Sequence, residues 1–177
     1  DLPNASTLAM SVKESRMIEK ESWLANDEFQ FQLSSSSLVD KLIEKIRGIS
    51  VELASVADYT LGMQVYHNSI HSKEQIEERV YHATTRKNKT FWPESGGRNI
   101  RRYYFVDDFN EHVSYGDWCY NKPDWKFCSE PRILIREIPS KTLMCVFTDA
   151  IHVSSKAVIL VIPHSVQLKY LLGILNS

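Results

Sequence analysis

The segment Arg132-Ile133-Leu134-Ile135-Arg136 sets the first limit on what this chain can fold into: three large aliphatic residues between two arginines read as a β-strand. Leu143 to Phe147 gives a second strand signal, and Ala157 to Ile162, closed by Pro163, a third; a helix is expected from Val166 onward. Upstream, Val51, Leu53, Val56, Tyr59, Leu61, Met63 and Val65 are β-formers or apolar, and Gly62 interrupts them at a turn or bulge. Tyr103 to Val106 reads as a further strand. Together these specify an α+β fold, a twisted and mostly antiparallel sheet built from the segments after Val51 and flanked by helices. Arg132 and Arg136 would share one strand face with Leu134 and meet there either phosphate or an internal carboxylate.

The N-terminal part has a different character. Trp23 and Leu24 form the first apolar anchor, and Phe29, Phe31 and Leu33 alternate in a strand-like pattern. Ser34 to Ser37 offer N-caps for a helix with Leu38, Leu42, Ile43 and Ile46 on one face, ended by Gly48. The expected organisation is therefore a linker and strut helix over residues 1–50 and a single module over residues 51–177.

The net charge of the 177-residue chain is −1, so any attraction to a polyanion must be local. It is concentrated between Arg79 and Tyr104, where Arg79, Arg86, Lys87, Lys89, Arg98, Arg101 and Arg102 meet a single acid, Glu94. Tyr81, His82, Phe91, Trp92, Tyr103 and Tyr104 are threaded through the same stretch. Cations interleaved with flat rings suit a phosphate backbone with exposed bases. Ser72 to Gln75 has the form of a capping box for a short helix through Ile76 and Val80, after which the basic stretch reads as one long connection. Lys122 and Lys126, set among Tyr115, Trp118, Tyr120 and Trp125, could extend the basic surface. Gln64, Tyr66, His67 and Asn68 follow the Gly62 turn with hydrogen-bonding side chains, which makes them candidate base readers.

Several chemistries find no motif. Cys119, Cys128 and Cys145 are odd in number and lack C-x-x-C spacing, which favours neither a disulfide framework nor a zinc knuckle and fits a reduced cytoplasm. No run of eighteen apolar residues and no signal-peptide layout appears, so a soluble cytoplasmic protein without a membrane contact is expected. His67 and His71 have helical ligand spacing, but Asn68-Ser69 beside the Gly62 turn argues against a helix, and no metal site is expected. The chain begins with Asp1 rather than Met and stops within the apolar run Tyr170 to Ser177, which reads as a piece of a longer polypeptide.

The order of these features resembles the TaqI-like C-terminal specificity domain of adenine-specific DNA methyltransferases and type IIG-like restriction-modification enzymes. The residues that carry the resemblance are Trp23-Leu24, Leu53 to Ala57 leading into Leu61 to Val65, Asn99 to Tyr103, Pro131 to Arg136, and Leu171 to Ser177. It implies that residues 51–177 are a DNA target-recognition domain, cut short at its C-terminal end. Such a domain positions double-stranded DNA for base flipping and N6-adenine methylation by a separate, upstream catalytic domain of the same polypeptide that uses S-adenosylmethionine. Arg86, Lys87, Lys89, Arg98, Arg101, Arg102, Lys122 and Lys126 would then hold the backbone, and Gln64, Tyr66, His67, Asn68 and Trp92 would stand near the bases, Trp92 or Phe91 supporting the unstacked site. The chain has Tyr66 where the family often carries a second glycine. The piece itself is not expected to be catalytic and holds no cofactor. It lacks an Asn/Asp-Pro-Pro-aromatic motif, with only Asn121-Lys-Pro-Asp-Trp125 near that form, and it has no G-x-G loop and no nuclease-like Glu-x-Lys. The parent would be a site-specific adenine methyltransferase with or without endonuclease activity. The competing reading is a protein-interaction or structural domain whose basic loop binds an acidic partner.

Overall fold

The computed structural model describes residues 37–138 and 142–177. The anchors Trp23 and Leu24 and the alternating Phe29, Phe31 and Leu33 lie outside the described residues. The chain divides into two units, Asp1–Ser50 and Val51–Ser177.

In the first unit, helix α1 spans Ser37–Arg47 and carries Lys45 and Arg47 in its last turn, where cations complement the partial negative charge of the exposed carbonyls. The Gly48 N–H closes the end on the Glu44 carbonyl at 3.0 Å. Leu38, Leu42 and Ile46 are exposed along its length.

The second unit is α+β, as its strand pattern specifies. A 3-10 turn, Leu53–Ser55, leads into β1, Ala57–Leu61. The main sheet pairs β1 with β10 (Val158–Pro163), β10 with β7 (Arg132–Arg136) and β7 with β8 (Cys145–Thr148), all antiparallel. Its side chains alternate between two buried clusters. Ala57, Ile133, Ile135, Cys145 and Val161 face helix α4 (Leu168–Leu175) through Leu171 and Leu172. Leu134, Val146, Val158 and Leu160 face the other way, against Ile100 and Phe127. Coverage of both faces is why the central strands read as unbroken aliphatic runs, each fully buried side chain contributing about 1.5–3 kcal/mol.

The edge of this sheet at β8 is closed by the end of the chain. Asn176, 1 % exposed, accepts from the Cys145 N–H at 3.0 Å and donates from Nδ2 to the Cys145 carbonyl at 2.9 Å, standing in for a fifth strand.

A second, smaller sheet has the order β2 (His82–Ala83), β6 (His112–Ser114), β3 (Phe91–Ser95), β9 (Val153–Ser154). Its pairings are antiparallel except β3 with β9, which is parallel. Its core holds Met63, Val65, Val113, Cys119, Cys128 and Val153, with Tyr66, Tyr81, Trp92, Tyr115 and Trp125 packed around them. Two further strands, β4 (Ile100–Arg101) and β5 (Tyr104–Phe105), form a hairpin by themselves. Helix α2, Lys73–Glu77, starts with both hydrogen bonds of the capping box between Ser72 and Gln75 and ends before Val80. Helix α3, Lys126–Ser129, buries Phe127 and Cys128.

Three local expectations change. The basic stretch is not one long connection: it holds β2, β3, β4 and a 3-10 turn at Gly97–Asn99, because Phe91, Ser95 and Ile100 are buried and their backbone must be paired. Gly62 is needed for a close approach rather than a turn, since a Cβ there would lie 2.1 Å from the Ser155 carbonyl oxygen. Arg132 meets neither phosphate nor carboxylate. It is fully buried and donates to the carbonyls of Glu130, Ala150 and His152 at 2.9, 3.1 and 3.2 Å.

Candidate nucleic-acid interface

The β2–β3 connection carries the densest charge. Asn88 Oδ1 accepts from the Thr90 N–H at 2.8 Å and from its hydroxyl at 2.7 Å, and that hydroxyl also meets Ser114 Oγ at 2.8 Å, so the turn is tied to β6 at its root. Arg86, Lys87 and Lys89 are exposed at its tip. Among the described residues, none of the three forms an ion pair. The Arg86 guanidinium lies 4.7 Å above the Trp92 ring and the Lys87 ammonium 5.8 Å from that of Phe91, which keeps both stems against rings and both charges in water.

Trp92 begins a row of rings. Trp125 is 4.9 Å from it, Tyr115 5.1 Å from Trp125, and the Lys122 ammonium 5.1 Å from Tyr115. Arg86 and Lys122 therefore stand at opposite ends of three consecutive aromatics. Burial pushes the Tyr115 hydroxyl up to about 12, so it remains a donor, bonded to the Pro123 carbonyl at 2.6 Å. Lys122 also approaches the fully exposed Asp117 at 3.3 Å, a surface pair of little weight. Lys126 is engaged with Asp58 at 2.7 Å; that hydrogen bond holds the carboxyl below its usual range and the ammonium above.

The other arginines of the basic stretch sit on different elements. Arg98 follows Gly97 and lines an open cleft of about 340 Å³ with Glu94, Glu111 and Ser155. Asn110, oriented to satisfy both neighbours, accepts from Arg98 at 3.1 Å and donates to Asp108 at 3.0 Å. Arg101 donates to the Arg98 carbonyl at 2.8 Å, and Arg102 to the Asn176 carbonyl at the end of α4. Arg79 forms a two-pronged pair with Glu111 at 2.6 and 2.8 Å, which holds the Glu111 carboxyl below its usual range. What is contiguous in sequence is thus divided among the β2–β3 loop, the 3-10 turn and the β4–β5 hairpin.

The candidate base readers also separate. Gln64 exchanges backbone hydrogen bonds with Asn121, both 2.9 Å, and its side-chain amide turns back to the Tyr66 carbonyl at 3.1 Å. Tyr66 packs into the second core: its hydroxyl accepts from the Tyr81 N–H at 2.9 Å and lies 2.9 Å from His82 Nδ1, while His82 Nε2 lies 3.2 Å from the Glu94 carboxylate. That chain of contacts, absent from the sequence reading, commits the Tyr66 hydroxyl to partners within the chain, and burial raises it above its usual range. Trp92 lies between Arg86 and Trp125. His67 and Asn68 are exposed, and His67 stacks on Tyr120 at 4.0 Å with an interplanar angle of 15°. Sequence reasoning missed Tyr120 as a partner, because no spacing rule links residues 53 positions apart, which the isolated Gln64–Asn121 bridge and the Tyr120 N–H bond to the Val65 carbonyl bring together.

Among the described residues, no group of three or more His, Cys, Asp or Glu could hold a metal ion, and no helix is long and apolar enough to cross a membrane. All three cysteines are buried free thiols. Cations without a carboxylate partner among the described residues stand over a row of rings, a surface chemistry suited to a nucleic-acid backbone. Residues 62–177 match the family described as the TaqI-like C-terminal specificity domain, and the chain belongs to that family of DNA sequence-recognition domains of restriction-modification methyltransferases. The match begins at Gly62, so Trp23-Leu24 and Leu53 to Ala57 fall outside it. A search of curated proteins found no match.

Proposed function

We propose that the chain is the target-recognition domain of an N6-adenine DNA methyltransferase, docking double-stranded DNA so that an upstream catalytic domain of the same polypeptide flips and methylates an adenine. S-adenosylmethionine would be held by that other domain, and the whole would work in the cytoplasm. The observation that carries the reading is the β2–β3 loop. Arg86, Lys87 and Lys89 are exposed and unpaired on a chain with net charge −1, within a DNA-specificity family. Exposed cations without a carboxylate partner are free to replace the counterions of phosphates, which gives affinity and register but no sequence information. Lys122 extends the same contact across the ring row, and Arg98 and Arg101 add exposed charge on neighbouring elements. Arg102 and Lys126, each already engaged within the chain, take a smaller share.

The test is fluorescence anisotropy of the 177-residue chain with a mixed-sequence duplex across a salt series. Binding on the order of 10⁻⁴ to 10⁻⁶ M is expected, with a logarithmic salt slope that flattens by about 0.9 for each phosphate contact removed in Arg86→Gln/Lys87→Gln/Lys89→Gln. No binding at low salt, or an unchanged slope in the triple variant, would overturn the proposal and favour an acidic protein partner.

A further inference from the structure

We propose that the stacked pair His67–Tyr120 is a base-reading element whose fixed N–H donates to N7 of a guanine in the major groove; the inference rests on the DNA-recognition reading above. His67 Nδ1 lies 3.1 Å from the Ser69 backbone N–H and 2.7 Å from its hydroxyl. A backbone N–H can only donate, so Nδ1 accepts, and in the neutral ring the proton sits on Nε2. Nε2 has no partner among the described residues.

The ring is held from two further sides. Tyr120 covers one face at 4.0 Å and is itself anchored, its N–H donating to the Val65 carbonyl at 2.9 Å. Beneath them His71, 8 % exposed, ties the two segments together: its Nδ1 accepts from the His67 N–H at 3.3 Å and its Nε2 meets the Trp118 carbonyl at 3.0 Å. The donor is therefore oriented before any partner arrives, which lowers the ordering cost of binding. Tyr120 remains 44 % exposed, and Asn68 and Asn121, next in sequence to the pair, are exposed as well.

A lone donor selects by what it meets. Guanine presents two neighbouring acceptors, N7 and O6, to the major groove and no donor; thymine offers one acceptor, O4, beside a methyl group, adenine sets an amino donor beside its N7, and cytosine offers an amino donor alone. Phosphate oxygens would also accept the bond, but losing a phosphate contact weakens binding to all sequences alike and leaves base preference unchanged.

The experiment is selection from a randomised duplex pool by the full chain, with sequencing of the bound fraction, for wild type, His67→Phe, Tyr120→Phe and Tyr120→Ala. Wild type is expected to enrich a guanine at one position, and His67→Phe, which keeps a ring on Tyr120 but has no donor, to lose about five- to tenfold of that preference. Tyr120→Phe should retain it and Tyr120→Ala lose part of it. A 7-deazaguanine at the selected position should weaken wild type by the same factor and leave His67→Phe unaffected, an arm that needs no altered protein for its wild-type half. Guanine preference intact in His67→Phe, uniform weakening across the pool, or no effect of 7-deazaguanine on wild type would each overturn the inference while leaving DNA recognition standing. A wild-type pool with no enriched sequence would overturn both.

Discussion

Arg132 and His152 are buried side by side, each fully enclosed, with a guanidinium nitrogen 3.2–3.3 Å from the imidazole nitrogens. Carbonyls and a neutral ring, rather than a carboxylate, meet the terminal nitrogens of this cation, and the Arg132 Nε has no hydrogen-bond partner among the described residues. Phe105 stacks on the same imidazole at 5.1 Å, and Phe109 lies tilted against it at 5.4 Å. Burial brings Arg132 down to about 10, and burial with the neighbouring guanidinium brings His152 down to about 3.

Acid should therefore unfold the domain through His152. Its folded-state value of about 3 lies below the ordinary 6.5, so between these limits the unfolded chain binds the extra proton. Stability is complete above 6.5 and falls as pH drops towards 3. Urea midpoints at about pH 7 and about pH 4.5 should show the loss in wild type and a flatter profile in His152→Phe, which keeps a ring against Phe105 and Phe109 but cannot be protonated.

The two glycines Gly62 and Gly173 should respond to alanine with opposite signs. A methyl at Gly62 would meet the Ser155 and Ser154 carbonyl oxygens at 2.1 and 2.5 Å, and backbone does not yield cheaply, so a loss of about 2–3 kcal/mol or more is expected. At Gly173, inside α4, a methyl meets nothing within 4 Å and should add about 0.5–1 kcal/mol. Denaturant midpoints measured side by side would decide both.

Asn176→Ala should cost about 1–3 kcal/mol, since the Cys145 N–H would be left buried and unpaired while the Cys145 carbonyl keeps its bond from the Tyr103 N–H at 3.0 Å. Because Arg102 donates to the Asn176 carbonyl, a backbone group, the substitution itself leaves that contact available. Thermal unfolding with and without the change is the measurement.

Tyr66→Phe should destabilise by about 1–2 kcal/mol without altering base preference, because its hydroxyl is spent on the Tyr81 N–H and His82 inside the second core. A shifted preference in the randomised-pool selection, at unchanged stability, would instead make Tyr66 a reader.

The main sheet was legible because both of its faces are covered. Ile133, Leu134, Ile135 and Val158 to Ile162 have no choice but burial, and their runs stand out against polar flanks. The Ser72–Gln75 capping box was equally plain, since its partners are three residues apart. The second sheet was hidden. β2 and β9 are two residues long, and nothing local in Val153-Ser154 announces a parallel pairing with Glu94-Ser95. For the same reason the charge of the basic stretch was readable while its distribution was not: among the described residues Arg86 has no carboxylate partner and donates to the Asn88 carbonyl, whereas Arg79 is locked to Glu111 because β6 pairs with β2 and brings residue 111 towards it.

The root of the β2–β3 loop, where Thr90 grips Asn88 on one side and Ser114 on the other, has a mechanical consequence. Strain introduced at the tip meets that knot, which ties the loop to β6 of the small sheet, whereas Ile133 and Val161 pair in the other sheet. Residues 84–87 can be lengthened, recoloured in charge or exchanged while Asn88 and Thr90 hold the knot and the four long strands keep their register, so the charge of the loop and the frame that survives heating can be altered one at a time.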